Sequence, residues 1–377
     1  MNIGILGFGS MGRTHAFAID SLGYFYRDLP FKAELYGVYT RTPETREAAA
    51  REFGFKRVYT SEDEMISDPA IDIIDITTPN IAHFETIKKA IAAGKHIYCE
   101  KPLCISEAEA SEVSRLAEDA GITAQVVFNT RFLSPIMRAK QLISEGRLGR
   151  IISFRCAFLH ASCTDPLKNA GWKQDKTVCG GGVLFDLGSH AIDLVYHLCG
   201  DFKNIYGTSQ IAYPVRRGMD GEAWQTNADE AFYMIAELEC GAKGTIIASK
   251  LATGTNDDFT LEIYGEKGAL KFDLMEPNWL WFYDCTDKSG DLGGECGFKR
   301  IECCGRYPAP GGIFPGVKAP IGWLRGHIGS MYAFLDSVHS GKPTDPSFVD
   351  GAYVQRIMEA AYRSDISKKA EMCERIN

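Results

Sequence analysis

Asp186, His190, Asp193 and His197 stand at steps of four, three and four residues, a spacing that lines two carboxylates and two imidazoles along one face of a helix. Leu184, Leu187, Ala191, Leu194 and Leu198 fill another face. An imidazole titrates near neutral pH, so His190 suits a base that takes the proton from a hydroxyl as a hydride leaves the same carbon. Asp186 would orient that imidazole or bind a neighbouring hydroxyl. For Asp193 and His197 a packed polar face is the preferred reading. A shared cation is the competing chemistry for His and Asp at this spacing, and no metal is expected.

The run 96–99 reads as a short strand and ends in Glu100-Lys101-Pro102. Ligands of an open α/β sheet lie beyond the carboxyl ends of its strands, which points Lys101 toward such a crevice. Pro102 restricts the backbone at that turn. An ammonium there would stabilise an alkoxide developing on a substrate.

Gly7-Phe8-Gly9-Ser10-Met11-Gly12 matches GxGxxG, after a strand-like run and before a helical one. The first glycine permits the tight turn, the second lets the backbone approach a pyrophosphate, and the third lets helix pack on strand. A dinucleotide is the implied cofactor. An NAD-selective site would end its second strand in an acid that bonds the adenosine ribose. Here Tyr39-Thr40 is followed by Arg41-Thr42-Pro43. Thr40, Arg41 and Thr42 can instead receive a 2'-phosphate, so NADP is favoured over NAD.

These groups need a scaffold. Up to residue 127 apolar runs at 3–6, 34–40, 71–77, 96–99 and 123–127 alternate with helical stretches, the pattern of an α/β fold with a parallel, Rossmann-type sheet. Residues 23–30, aromatic and ending in Pro30, read as an insertion. A second, α+β domain is expected over 128–377, with a large, mainly antiparallel, open-faced sheet drawn from 151–159, 205–215, 231–238, 244–251, 259–264, 270–274 and 280–283. Helices are expected at 181–198, 327–339 and 349–363, and a long loop over 288–320. Too few helices remain to cover both faces of that sheet, so a homodimer or homotetramer is expected.

A chain of 377 residues exceeds what one hydrophobic core usually supports. Its net charge of -8 gives no general reason to bind nucleic acid or anionic membranes. No uninterrupted apolar run reaches the roughly 20 residues of a membrane span, and the first residues enter a strand directly, so a soluble protein in the cytoplasm is expected. Twelve cysteines form no CxxC pair. Cys285, Cys296, Cys303 and Cys304 are the one cluster to weigh for zinc, but without a close pair free thiols are the preferred reading.

The glycine loop, the Glu100-Lys101-Pro102 triplet and the helix that carries Asp186 and His190 after Gly180-Gly181-Gly182 together resemble the glucose-fructose oxidoreductase, inositol dehydrogenase and MocA family. The resemblance extends over nearly the whole chain, through Thr78-Pro79-Asn80, His83, Asn129-Thr130-Arg131-Phe132 and Trp172-Lys173. It implies that Lys101, Asp186 and His190 serve hydride transfer, and that substrates are sugars, cyclitols or their derivatives. It also adds Thr78, Pro79, Asn80, His83, Glu100 and Asn129 to the expected cofactor set. Arg131, Trp172 and Lys173 are expected on the sugar-facing wall. Two other functions fit the same residues: a redox-neutral enzyme that cleaves a glycosidic bond through a keto-sugar with tightly bound NAD, and a non-catalytic dinucleotide and sugar sensor.

Overall fold

Short apolar runs separated by ten or more helix-forming residues can pair in parallel through crossovers, and the first part of the chain does so. Strands β1 (Asn2–Leu6), β2 (Glu34–Tyr39), β3 (Arg57–Val58), β4 (Ile73–Ile76), β5 (His96–Cys99) and β6 (Ala124–Val126) form one sheet in the order β3-β2-β1-β4-β5-β6. Every pair is parallel. Helices α1 (Ser10–Phe25), α2 (Pro43–Phe53), α3 (Glu62–Ser67), α4 (His83–Ala92) and α5 (Glu107–Asp119) lie between the strands in sequence. The edge strand β3 was not legible, because two residues carry no alternation. Strand order reverses between β1 and β4, where such sheets bind ligands.

The computed structural model describes residues 1–218, 221–304, 307–312, 314, 316, 319–320 and 322–373. It divides into two units: residues 1–132, 306–319 and 324–355, and residues 133–305, 320–323 and 356–377. The division expected after residue 127 falls after residue 132 in this structure, and neither unit is continuous in sequence. After α6 (Ser134–Ser144), α7 (Lys176–Cys179) and α8 (Ser189–Cys199), helix α9 (Leu324–Ser340) returns to the first unit, and α10 (Phe348–Ser367) follows. The expected insertion at 23–30 is likewise corrected. Residues 23–25 finish α1, and the Tyr26 ring stacks on Tyr332 of α9 with centroids 4.0 Å apart. Aromatic residues that read as an insertion before β2 pack against a helix almost three hundred residues away.

In the second unit β7 (Ile151–Leu159), β8 (Phe202–Gln210), a ribbon of β9 (Val215–Arg217) with β10 (Ala223–Gln225), β11 (Ala231–Leu238), β12 (Lys243–Ser249), β13 (Asp258–Gly265), β14 (Gly268–Asp273), β15 (Trp279–Asp284), β16 (Lys299–Glu302) and β17 (Glu371–Met372) follow. All but the ribbon build a nine-stranded sheet in the order β16-β15-β14-β13-β7-β12-β11-β8-β17. Among the described residues of this sheet only β7 and β12 run parallel. The strand expected over 205–215 splits, since Pro214 has no N–H to extend a ladder. The expected loop at 288–320 contains β16 and a bridge between Tyr307 and Gly312. Its residues 305, 306, 313, 315, 317 and 318 lie outside the described ones.

Residues 176–199 hold a window long and apolar enough by composition to cross a membrane, with a mean hydropathy of 1.3, and 78% of that window is buried. The stretch comprises α7, a turn and α8 inside this unit. On the sheet's outer face Tyr233, Ile235 and Tyr206 are 42%, 60% and 39% exposed. They are neighbours, for Ile235 stands opposite Tyr206 in the β11–β8 register.

Candidate functional site

Within the first unit the glycine loop leaves β1 with Gly7 at φ 87°, in the left-handed region. A Cβ there would meet the Thr77 carbonyl at 2.9 Å, and one on Gly12 would meet the Gly7 oxygen at 2.6 Å. A Cβ on Gly9 would face open space. Beside it lies a cavity of about 540 Å³ lined by Phe8, Gly9, Ser10, Arg13, Thr14, Phe17 and Leu324. Helix α1 has no side-chain cap and no acidic residue in its first turn, so the N–H groups of Ser10, Met11 and Gly12 are placed to meet an anion. The Thr78 hydroxyl, at the end of β4, is buried with no hydrogen-bond partner. An open glycine, an uncapped helix and an orphaned hydroxyl at the switch point fit a dinucleotide.

Several expected cofactor residues act differently. Phe8 turns its ring into the core against Phe53 and Phe55, at 5.0 and 5.4 Å, leaving only its backbone to the loop. His83 is fully buried, its ring nitrogens 3.1 Å from the Pro102 carbonyl oxygen and 3.0 Å from that of Thr78. Burial pushes its pKa down, and it ties two loops together rather than facing a ligand. Glu100 is buried too. Its carboxylate accepts the Lys101 N–H at 3.1 Å and approaches His15 Nε2 at 3.2 Å. Pro79 and Asn80 begin a 3-10 turn, and Asn129 begins another that packs on Gly326 of α9.

Arg131 leaves the substrate set. It is 5% exposed, and its guanidinium pairs with Asp345 at 2.5 Å and Asp350 at 3.3 Å. Those partners lie over two hundred residues away, so no local signal could show them.

At the end of β2, Arg41 and Thr42 are exposed and the Thr40 hydroxyl donates to the Thr42 carbonyl at 2.9 Å. Arg46 of α2 donates to the Thr40 carbonyl at 3.1 Å, a second cation at this strand end that no motif in the sequence marks. Lys101 is half-buried after β5, and its peptide bond to Pro102 is cis.

Within the second unit Asp186 sits in a π-helical turn, Leu184–Gly188, that leads into α8. The wider turn breaks the regular step assumed for the polar stripe. Asp186 accepts from Lys173 at 2.8 Å and from Lys250 at 2.9 Å. Lys250 is 5% exposed. Burial alone would lower its pKa, but the Asp186 carboxylate raises it, so the ammonium stays charged. Sequence reasoning missed Lys250 because a lysine after a strand looks like any surface lysine.

Asp229 is a second hidden partner. Its carboxylate accepts from the N–H groups of Gly182 and Leu184, at 2.9 and 3.0 Å, and from the Tyr362 hydroxyl. A Cβ on Gly182 would stand 2.1 Å from the Asp229 carbonyl oxygen. The glycine run is thus the seat of a buried carboxylate that fixes where the Asp186 turn begins. His190, half-buried, lies 5.9 Å from the Phe158 ring, and His160 lies 5.1 Å from the same ring with its Nε2 2.7 Å from Asp257. Trp172 is 40% exposed, with the Lys173 ammonium 5.6 Å from its ring centroid. Asp193 is buried, and the His197 carbonyl accepts from Lys140.

Among the described residues no group of three or more His, Cys, Asp or Glu could hold a metal ion. Cys285 and Cys296 are exposed while Cys303 and Cys304 are buried.

A family model described as an oxidoreductase family with an NAD-binding Rossmann fold matches residues 1–128, and one for the Gfo/Idh/MocA C-terminal domain matches residues 136–271. Levoglucosan dehydrogenase of Pseudarthrobacter phenanthrenivorans is 30% identical over 97% of this chain and 96% of its own. The scyllo-inositol 2-dehydrogenase (NADP(+)) of Bacillus subtilis is 31% identical over 99% and 96%. A solved structure of levoglucosan dehydrogenase with NADH and levoglucosan superposes with a TM-score of 0.95, at 30% identity, over the whole of both chains.

Proposed function

The chain belongs to the Gfo/Idh/MocA family of oxidoreductases, and from that membership we propose that it moves a hydride between a nicotinamide dinucleotide and a hydroxyl-bearing carbon of a sugar or cyclitol. The observation that carries this reading is Asp186, a carboxylate held by two ammonium groups in the turn just before His190. A fixed acceptor beside fixed donors suits a ligand rich in hydroxyls, because neither partner must reorganise when the ligand arrives.

The dinucleotide, when bound, supplies the hydride acceptor. Ser10, Met11 and Gly12 would hold its phosphates with main-chain N–H groups, and Thr78 would offer its hydroxyl. His190 takes the substrate hydroxyl proton, Lys101 stabilises the oxyanion that develops, and Asp186 with Lys173 and Trp172 holds the remaining hydroxyls. Lys250 keeps Asp186 in place. The test is a screen of sugars and cyclitols with NAD and NADP, following nicotinamide absorbance. Turnover on none of them, or turnover without net reduction, would overturn the reading.

Cofactor preference follows from the end of β2. With no acid there and with Arg41 exposed beside Thr40 and Thr42, NADP should bind at least as tightly as NAD, and Arg41→Ala should weaken NADP by about tenfold while sparing NAD. Calorimetric titration of both dinucleotides decides it. A clear preference for NAD that Arg41→Ala leaves unaltered would show that the arginine has no part in selection.

The outer sheet face around Tyr206, Tyr233 and Ile235 supports a homo-oligomer, in which a second copy covers it. Light scattering at micromolar concentration should report at least a dimer, and Ile235→Lys, which places a charge in the patch, should shift the population toward monomer. A wild-type monomer would refute this.

A further inference from the structure

Asp75 is the one charged residue in β4, between isoleucines, and it is fully buried. An uncompensated carboxylate in such a place is very costly, so its partner matters. That partner is His15 on α1, whose Nδ1 lies 2.9 and 3.1 Å from the two Asp75 oxygens. The other ring nitrogen lies 3.2 Å from Glu100 Oε1, and Glu100 Oε2 accepts the N–H of Lys101 at 3.1 Å. Each atom in this line has a distinct task, and the line ends on the main chain of Lys101. Around His15 also stand the rings of Tyr98, at 5.2 Å, and His327 of α9, at 6.0 Å. Burial works against a charge on His15, but Asp75 and then Glu100 outweigh it and raise its pKa to about 10. Burial would raise Glu100, yet His15 and Lys101 hold it down at about 2. His327 stays neutral, lowered to about 3 by burial and then by the charge on His15.

We infer that His15 is a positioning residue for hydride transfer: clamped between Asp75 and Glu100, it holds the Glu100 carboxylate that fixes the Lys101 main chain, and so sets where the Lys101 ammonium stands. The inference rests on the reading that Lys101 stabilises the reacting oxygen. His15 itself is buried away from solvent. Its effect is transmitted through one carboxylate, and a small displacement of a catalytic group is enough to slow turnover heavily.

A double-mutant cycle on the full chain tests this, using the dinucleotide and the sugar or cyclitol that the screen identifies. His15→Gln should lower kcat by about 10²-fold, with dinucleotide affinity changed less than about threefold. In a Lys101→Met background the same substitution should cost less than about twofold more, because the group it positions is gone. A full further loss in that background overturns the inference alone, as His15 would then act on the fold at large. Wild-type turnover in His15→Gln overturns it too. Wild-type turnover in Lys101→Met overturns the reading of Lys101, and the inference with it. Should His15→Gln fail to fold, Glu100→Gln keeps an acceptor for the Lys101 N–H but loses the charge that meets His15, and its cycle with Lys101→Met is judged by the same outcomes.

Discussion

His190→Asn is expected to lower kcat by about 10²- to 10⁴-fold while leaving dinucleotide affinity within about twofold. The amide keeps much of the shape of the ring and can still form a hydrogen bond, but it cannot accept a proton near neutral pH. The glycine loop, α1 and Thr78, which are proposed to hold the dinucleotide, all belong to the first unit, and His190 belongs to the second. Binding and chemistry should therefore separate. The Phe158 ring beside the imidazole stacks on Phe259 at 4.4 Å, a firm surface that the substitution leaves in place. Steady-state kinetics across pH, with separate titration of the dinucleotide, is the measurement. Most of the activity retained with the same pH profile would mean that the imidazole is not the base.

Lys101→Met is expected to slow turnover by about 10²- to 10³-fold, the usual cost of removing one group that stabilises developing negative charge. Methionine matches the length of the lysine stem and is apolar, so the loss reports the charge rather than a cavity. Lys101→Arg should not restore the rate. A planar guanidinium spreads its charge over a wide fork and cannot occupy the place of a compact ammonium. Glu100, buried and held by His15, leaves the main chain at this turn little freedom to adjust. Rapid-mixing kinetics of the hydride step in both variants tests the point, and a rate near wild type in Lys101→Arg would show that any cation suffices there.

The sequence by itself determined what depends on near neighbours in the chain. The glycine loop, the alternation of strand and helix up to β6 apart from the two-residue β3, and the longer strands β7, β8 and β11 to β15 were legible, because turn chemistry and hydrophobic period are local. So were Lys101 at a strand end and the helix that carries Asp186 and His190. Departures came where a local pattern was read too far. The spacing of the polar stripe predicts a regular helix, but Asp186 stands in a π turn seated on Asp229, which lies 43 residues further on. Residues 23–30 looked like an insertion only because their partner, α9, is distant in the chain.

Tertiary structure alone decided which charged groups are functional candidates and which are supports. Lys250 reaches Asp186 across the second unit, and Arg131, expected against the sugar, is bound instead to Asp345 and Asp350. His15, Asp75 and Glu100 meet from three segments of the first unit. Each is a charge taken out of water, and such a charge is tolerated only with a partner close by. Partner choice is a matter of distance in space, and a buried charge shows no period or motif along the chain. The groups proposed to react therefore stood out in the sequence while the residues that hold them did not.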